Sequence, residues 1–111
     1  MNNKGFNIID LVKTSNSIEL KISFDEQYKY FQGHFETFKL LPALIQIHLV
    51  VELYNKYFLE NYTPKKFKNL KFVAPIRPNS EYFLKIQKKI NGIEFSYFTA
   101  DKNYSNGILN L

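Results

Sequence analysis

The sequence contains no cysteine and no tryptophan, and it has only four glycines and four prolines among 111 residues. The absence of cysteine excludes disulfide bonds, thiolate metal sites and a cysteine nucleophile. No hydrophobic run approaches the roughly 18–20 residues that a membrane-spanning helix requires, and the N-terminal "MNNKGFNIIDLVK" lacks the apolar core of a signal peptide. We therefore expect a soluble, cytoplasmic protein without a membrane span.

Apolar and aromatic residues are plentiful. Hydrophobic residues make up 45% of the chain, which includes eleven Phe and eight Tyr. This length suits one domain and is short for two, and the apolar content is sufficient to build a compact core. We expect a single domain over residues 1–111.

The net charge is +5, and much of the positive excess lies in "PKKFKNLKF", residues 64–72. Such a patch could attract nucleic acid, an anionic membrane or an acidic protein, and it could equally be a solvated lysine-rich surface. All but one of the 15 basic residues are Lys, and Arg77 is the exception. Because neither an aromatic single-strand motif nor a recognition helix accompanies the lysines, we do not expect nucleic-acid binding.

Hydrophobic periodicity predicts the order strand, strand, long helix, then about four strands. In "SIELKISF" the apolar residues alternate with polar ones, as in a half-buried strand. Residues 43–59 lack Gly and Pro and are apolar nearly all round, which predicts an enclosed helix, and Pro42 suits its first turn. Two tight-turn signals follow, at Asn91-Gly92 and Asn106-Gly107. An antiparallel sheet wrapped around one central helix satisfies this order.

The only two histidines, His34 and His48, lie on either side of Pro42. Gly33 permits a tight backbone approach at His34, and Glu52 follows His48 by four residues on the same helical face, where it could stabilise the imidazolium. His48 could also be an ordinary core or interface residue. With no further His and no Cys, we expect no metal site.

These residues form a recognisable motif. "FQGHF" followed by "LLPALIQIH" resembles the central-helix motif of hotdog-fold 3-hydroxyacyl-[acyl-carrier-protein] dehydratases, in which a G-H-F-P loop leads to a P-G helix start and an acidic residue follows the histidine by fourteen positions. His34 matches the histidine, Pro42 the proline, and His48 occupies the acidic position. With Gln46 before it, His48 is most similar to the aryl-polyene branch. The segment "KNLKFVAPIRPNSEYFLKI" is also similar to that family, and the resemblance implies an α+β hotdog fold.

The resemblance implies a lyase that removes water from a 3-hydroxyacyl thioester to give the trans-2-enoyl thioester, in fatty-acid or aryl-polyene type biosynthesis. His34 would be the base, and the backbone N–H of Ala43, with Gly33 at the loop, would serve the thioester oxyanion. His48, supported by Glu52, would be the proton donor. No cofactor is implied.

The implied partners are an acyl carrier protein and a second hotdog subunit. In this family the loop histidine and the helix residue come from different subunits, so we expect a homodimer or higher homo-oligomer, or a heteromer with another hotdog subunit. The expected acyl-tunnel residues are Phe31, Phe35 and Phe38. The residues expected to dock the acidic carrier are Lys65, Lys66, Lys68 and Arg77.

Two other functions stay open at this point. A hotdog acyl thioesterase would use an acidic helix residue, for which Glu52 is available. A non-catalytic acyl-binding hotdog subunit is suggested by departures from the family motif, where Glu36 and Lys39 replace prolines and Ala43 replaces a glycine.

Overall fold

The structure, a computed structural model, describes residues 4–31 and 39–110. Six strands and one helix account for most of these residues. They are β1 (Phe6–Lys13), β2 (Ser17–Phe24), α1 (Ala43–Phe58), β3 (Lys66–Phe72), β4 (Glu81–Lys89), β5 (Gly92–Phe98) and β6 (Asn103–Asn110). The predicted order of elements is confirmed, and the helix ends at Phe58, one residue before the predicted end.

The six strands form one antiparallel sheet in the order β1-β2-β4-β5-β6-β3. Because β3 follows the helix and joins the far side of β6, the chain crosses over the sheet between β2 and β3. This crossover places α1 against one face of the sheet. Strand β3 is therefore an edge strand that lies next to the helix in sequence.

The core lies between that face of the sheet and α1. Alternate residues of β2, β4, β5 and β6 point towards the helix, as a period of two requires. The buried apolar side chains on these strands are Ile18, Leu20, Ile22, Phe24, Tyr82, Leu84, Ile86, Ile93, Phe95, Tyr97 and Leu109. From the helix, Ile47, Leu49, Val50, Leu53 and Tyr54 complete the core.

Within residues 4–31 and 39–110 the helix is covered on one face only, whereas its composition predicted an enclosed helix. Ala43 and His48 are exposed, and Leu44 is 61% exposed. The sheet covers one face of α1, and the described residues leave the opposite face open at these positions. No helix among residues 4–31 and 39–110 is long and apolar enough to cross a membrane.

The two Asn-Gly pairs play different roles. Asn91 lies in the turn between β4 and β5, as predicted. The prediction of a turn at Asn106-Gly107 is wrong, because both residues lie inside β6. A Cβ on Gly107 would come within 2.3 Å of Leu70 Cδ2, so this glycine allows the bulged part of β3 to approach β6 closely.

Candidate active site

The N-terminus of α1 presents backbone N–H groups without a side-chain cap. Pro42 is the N-cap residue, with φ −60° and ψ 147°, and the first turn contains no acidic side chain. Because the first N–H groups of a helix have no partner within the helix, they carry partial positive charge at this end. The N–H of Ala43, the first helical residue, is thus at the position where the resemblance places the oxyanion donor.

A buried polar network fixes this end of the helix to the sheet. Gln46, 3% exposed, donates from Nε2 to the carbonyl of Leu41 (3.0 Å) and accepts from Ser105 Oγ at Oε1 (2.6 Å). The Tyr97 hydroxyl donates to the backbone carbonyl of Gln46 (2.8 Å), and burial raises the pKa of Tyr97 well above its usual value. Sequence reasoning missed this network, although one polar residue inside the apolar run "LIQIHLVV" was a signal.

His48 lies on the exposed face of α1, in a groove that we call the His48 groove. Glu52, half-buried one turn later, lines the same groove, so the structure brings together the helix pair predicted from sequence. The groove measures about 420 Å³. Its lining residues are Leu44, Ile47, His48, Val51, Glu52, Thr63, Pro64 and Phe67. Most of these are apolar, which suits an acyl chain beside an imidazole and a carboxylate.

A second groove of about 240 Å³, the Ala43 groove, lies at the start of the helix. It is lined by Leu40, Leu41, Ala43, Gln46, Phe72, Val73, Ala74 and Pro75. Phe67 of β3 borders the His48 groove and Phe72 of β3 borders the Ala43 groove. The helix N-terminus and His48 thus face the same side of the molecule, between α1 and the edge strand.

A larger depression of about 580 Å³ lies on the opposite face of the sheet and is mainly polar. It is lined by Asn69, Lys71, Glu94, Phe95, Ser96, Asn103, Asn106, Gly107 and Ile108. It contains no histidine and no helix N-terminus. We therefore place the candidate site at the His48 and Ala43 grooves.

His34, the predicted partner of His48, is not part of the described chain. Residues 32–38, which include Gly33, His34, Phe35, Glu36 and Phe38, lie outside the described residues. The roles predicted for them therefore remain predictions. Among residues 4–31 and 39–110, no group of three or more His, Cys, Asp or Glu side chains could hold a metal ion.

Phe31, the first of the three expected tunnel residues, packs in an aromatic cluster. Its ring meets those of Phe24 (5.7 Å between centroids) and Tyr28 (5.9 Å) edge to face. Burial also raises the pKa of the Tyr28 hydroxyl, which has no hydrogen-bond partner in the described part of the chain. The cluster anchors the end of the described segment 4–31 to β2.

The predicted basic residues lie on two segments. Lys65, Lys66 and Lys68 are exposed at the start of β3. Arg77 is half-buried between β3 and β4, where its backbone N–H donates to the hydroxyl of Tyr82 (2.9 Å). The lysines are thus presented along an edge strand, whereas Arg77 belongs to a loop that is tied to β4.

Known structures show the same fold. The dehydratase heterocomplex ApeI:P from Xenorhabdus doucetiae is similar with a TM-score of 0.83 and 22% identity, over 94% of this chain and 95% of that chain. An uncharacterized protein from Erwinia carotovora subsp. atroseptica is similar with a TM-score of 0.72 and 26% identity, over 95% and 90% of the two chains. The fold is therefore the hotdog fold that the sequence predicted.

The family is shown by the sequence itself. None of the curated proteins matches the chain. Residues 10–108, however, match the family described as ApeI-like, ApeI dehydratase. The match includes α1, both grooves and the edge strand β3. The chain therefore belongs to the ApeI-like dehydratase family.

Proposed function

We propose that the chain dehydrates a 3-hydroxyacyl thioester carried by an acyl carrier protein. In this reaction a base removes the α-proton, the released electron pair forms the double bond to the β-carbon, and the β-hydroxyl leaves as water after accepting a proton. The products are the trans-2-enoyl thioester and water. The observation that carries the proposal is the position of His48, exposed in an apolar groove beside an uncapped helix N-terminus.

Each chemical task has a candidate group. We assign the base to His34 and the proton donor to His48, with Glu52 lining the same groove. We assign polarisation of the thioester carbonyl to the N–H of Ala43. Support for this last role is electrostatic, because an enolate oxygen that develops at a helix N-terminus meets partial positive charge and unpaired donors.

We further propose that the site is completed by a second hotdog subunit. Both grooves open beside β3, the edge of the sheet, so a subunit that joins this edge would cover them. The similar structure from Xenorhabdus doucetiae is itself a dehydratase heterocomplex, which supports a hotdog partner for this chain. His34 of one subunit would then face His48 of the other.

The lysines near β3 support a carrier protein as the donor of the substrate. Acyl carrier proteins are acidic, and an exposed positive patch raises the rate at which an acidic protein arrives. Lys65 is exposed next to Pro64 of the His48 groove, and Lys66 and Lys68 are exposed on β3 on the side that points away from the helix. Arg77 would add to this positive field from the following loop.

The test is conversion of a 3-hydroxyacyl carrier protein to the enoyl form, followed by the mass of the carrier. We expect His34→Ala and His48→Ala each to lower turnover by at least about a hundredfold, which is the usual size of an acid or base contribution. Lys56→Ala, an exposed substitution on the same helix, is the matched control and should retain turnover. Wild-type turnover in either histidine variant would refute its assigned role.

A thioesterase is the second candidate, because Glu52 offers a carboxylate in the same groove. Hydrolysis releases a free thiol on the carrier, whereas dehydration leaves the thioester intact. Measuring free thiol together with the enoyl product in one assay separates the two reactions. Release of thiol that depends on Glu52 and not on His48 would favour the thioesterase. A chain that yields neither product, alone or with a hotdog partner, would favour the non-catalytic acyl-binding subunit.

A further inference from the structure

The C-terminal end of α1 and two hairpin turns meet at one end of the molecule. Lys88, near the end of β4, forms an ion pair with Glu60, just after the helix (Nζ–Oε2 2.8 Å). The backbone N–H of Lys88 donates to the carbonyl of Asn16, in the turn between β1 and β2 (2.7 Å). These three segments, which we call the helix-end tip, are residues 13–17, 56–61 and 88–92.

Leu59 is an apolar residue at a position on this tip that favours glycine or asparagine. It is the C-cap of α1, with φ 54° and ψ 46° in the left-handed region. A residue with a bulky side chain is strained in this conformation, which glycine and asparagine tolerate. Because the Leu59 side chain is 91% exposed, its burial does not offset that cost.

Ile90 shows the same mismatch on the neighbouring turn. Lys89 and Gly92 are register partners, so Ile90 and Asn91 form a two-residue hairpin loop. Such loops favour Asn, Asp and Gly, whereas a β-branched residue suits a strand. Ile90 is 98% exposed. Two exposed aliphatic side chains that contradict local preference on one tip indicate a role other than folding.

Positive charge surrounds these two side chains. The charged residues of the helix-end tip, all exposed, are Lys13, Lys56, Glu60, Lys88 and Lys89. Four lysines against one glutamate give a net charge of +3. Among the described residues neither Lys13 nor Lys56 forms an ion pair. Their ammonium groups lie over aromatic rings, at 4.6 Å and 5.4 Å from the ring centroids, which leaves both charges uncompensated.

We propose that the helix-end tip binds the surface of an anionic membrane. Leu59 and Ile90 enter the boundary between headgroups and acyl chains, and the lysines face the lipid phosphates. Stable binding at a membrane surface takes two signals, an apolar anchor and a basic patch, and the tip has both. Charge complementarity selects anionic lipid as the occupant. The inference goes beyond the proposed function and does not depend on it.

An acidic protein such as the proposed carrier suits this tip less well. The tip lies at the C-terminal end of α1, whereas the N–H that we assign to the thioester carbonyl belongs to Ala43 at the other end. A helix of 16 residues is about 24 Å long, so a carrier bound at the tip would lie far from that N–H. Side chains at the apex of a turn, by contrast, can enter lipid while the backbone keeps its hydrogen bonds.

The test is cosedimentation of the full chain with vesicles. At about 50 mM salt, wild type should bind vesicles of phosphatidylcholine with about 30% phosphatidylglycerol at least about tenfold more tightly than vesicles of phosphatidylcholine alone. Raising the salt to about 500 mM should remove most of this difference. Equal binding to the two kinds of vesicle at low salt would overturn the proposal.

The double variant L59N/I90N separates an apolar anchor from simple attraction of lysines, because it leaves the charge unchanged. Its affinity for the anionic vesicles should fall at least about tenfold. Its melting temperature should stay the same or rise, since asparagine suits both positions. Val73→Asn, which replaces an apolar residue that is 70% exposed and lies away from the tip, is the matched control and should bind as wild type does. Wild-type binding by L59N/I90N would mean that no side chain inserts and that the proposal is wrong.

The basic part of the tip is tested by K13Q/K56Q, which should also lower the affinity for anionic vesicles at least about tenfold. K29Q/K102Q is the matched control, because these lysines are exposed elsewhere and their ammonium groups also lie over aromatic rings. It should lower the affinity by less than about threefold. Equal losses in the two variants would show that net charge alone drives binding and would contradict a specific tip.

Insertion is measured directly by fluorescence. The chain contains no tryptophan, so Ile90→Trp supplies a single fluorophore. Its emission should shift to the blue on anionic vesicles, whereas that of Val73→Trp should not. An unshifted Ile90→Trp, or tip variants that change the sedimentation coefficient without lipid, would indicate a protein interface and overturn the proposal. None of these measurements needs turnover, so their failure and failure of the dehydratase assignment are distinguishable.

Discussion

The two faces of α1 differ in whether the described residues cover them. On the face towards the sheet, Leu49 is fully buried and Gln46 has its side-chain amide satisfied by two partners. On the other face, Leu44 is 61% exposed and His48 lies open in a groove. Both faces come from one continuous apolar stretch of sequence. Within the described residues, the chain's own sheet therefore covers one face of the helix and leaves apolar surface on the other.

Substitutions on the two faces should therefore affect different properties of the chain. The sheet-facing residues have their contacts within the chain, so substitutions there should unfold it. On the groove face Leu44 and His48 are exposed, so substitutions at these two residues should alter function or association and leave folding almost unchanged.

Truncation of the same residue type on the two faces should give very different results. Leu49→Ala removes a fully buried side chain, so we expect it to lower the free energy of unfolding by about 2–5 kcal/mol. Leu44→Ala, the matched variant on the groove face, should change it by less than about 0.5 kcal/mol. Urea denaturation of both variants measures the difference. Equal losses would mean that the two faces are equally well packed in the isolated chain.

The polar network should behave as one unit. Gln46→Leu leaves the carbonyl of Leu41 and the hydroxyl of Ser105 buried without their partner, and we expect a loss of about 2–3 kcal/mol. Ser105→Ala should lose about 1 kcal/mol, and the double variant less than the sum, because both remove the same hydrogen bond. Gln27→Leu, at an exposed turn, is the matched control. Strict additivity in denaturation experiments would contradict the network.

High pH should lower the free energy of unfolding through the buried tyrosines on the sheet-facing side. Burial, together with the hydrogen bond to Glu60, raises the pKa of Tyr54 to about 12, while the unfolded value stays near 10. The stabilisation is therefore complete below pH 10 and is lost as the pH rises towards 12. Tyr54→Phe should flatten this loss by up to about 1.4 kcal/mol per pH unit. The free energy of unfolding of wild type and of Tyr54→Phe, measured at intervals between pH 9 and 12, would change in parallel if this assignment is wrong.

Sequence alone predicted the strands and the helix because period-two alternation and an uninterrupted apolar run report local geometry directly. The sequence also predicted that His48 and Glu52 share one face of the helix, since residues four apart in a helix are neighbours. It did not predict which face of α1 the sheet covers. An all-round apolar helix carries no such information, and the choice depends on where β4, β5 and β6 place their side chains.

Two other features also depend on contacts that are distant in sequence. Gly107 follows Asn106 as in a tight turn, yet it lies in a strand because Leu70 packs where a side chain would be. Gln46 is one polar residue in an apolar run, and its role depends on Ser105 and Tyr97, more than fifty residues away. Such pairings follow from the register of the assembled sheet and have no local signature.

The smallest effect on folding is expected at His48, and there the contrast between the faces is sharpest. His48→Ala removes an exposed side chain, so the free energy of unfolding should change by less than about 0.5 kcal/mol. In the proposed dehydratase the same substitution removes the proton donor, so turnover should fall by at least about a hundredfold. Leu49→Ala, next to it in sequence, should lose folding first and activity only as a consequence. Denaturation and turnover measured on the same two samples test this directly. If His48→Ala destabilised the chain as much as Leu49→Ala, His48 would be a packing residue and the groove face would have no separate function.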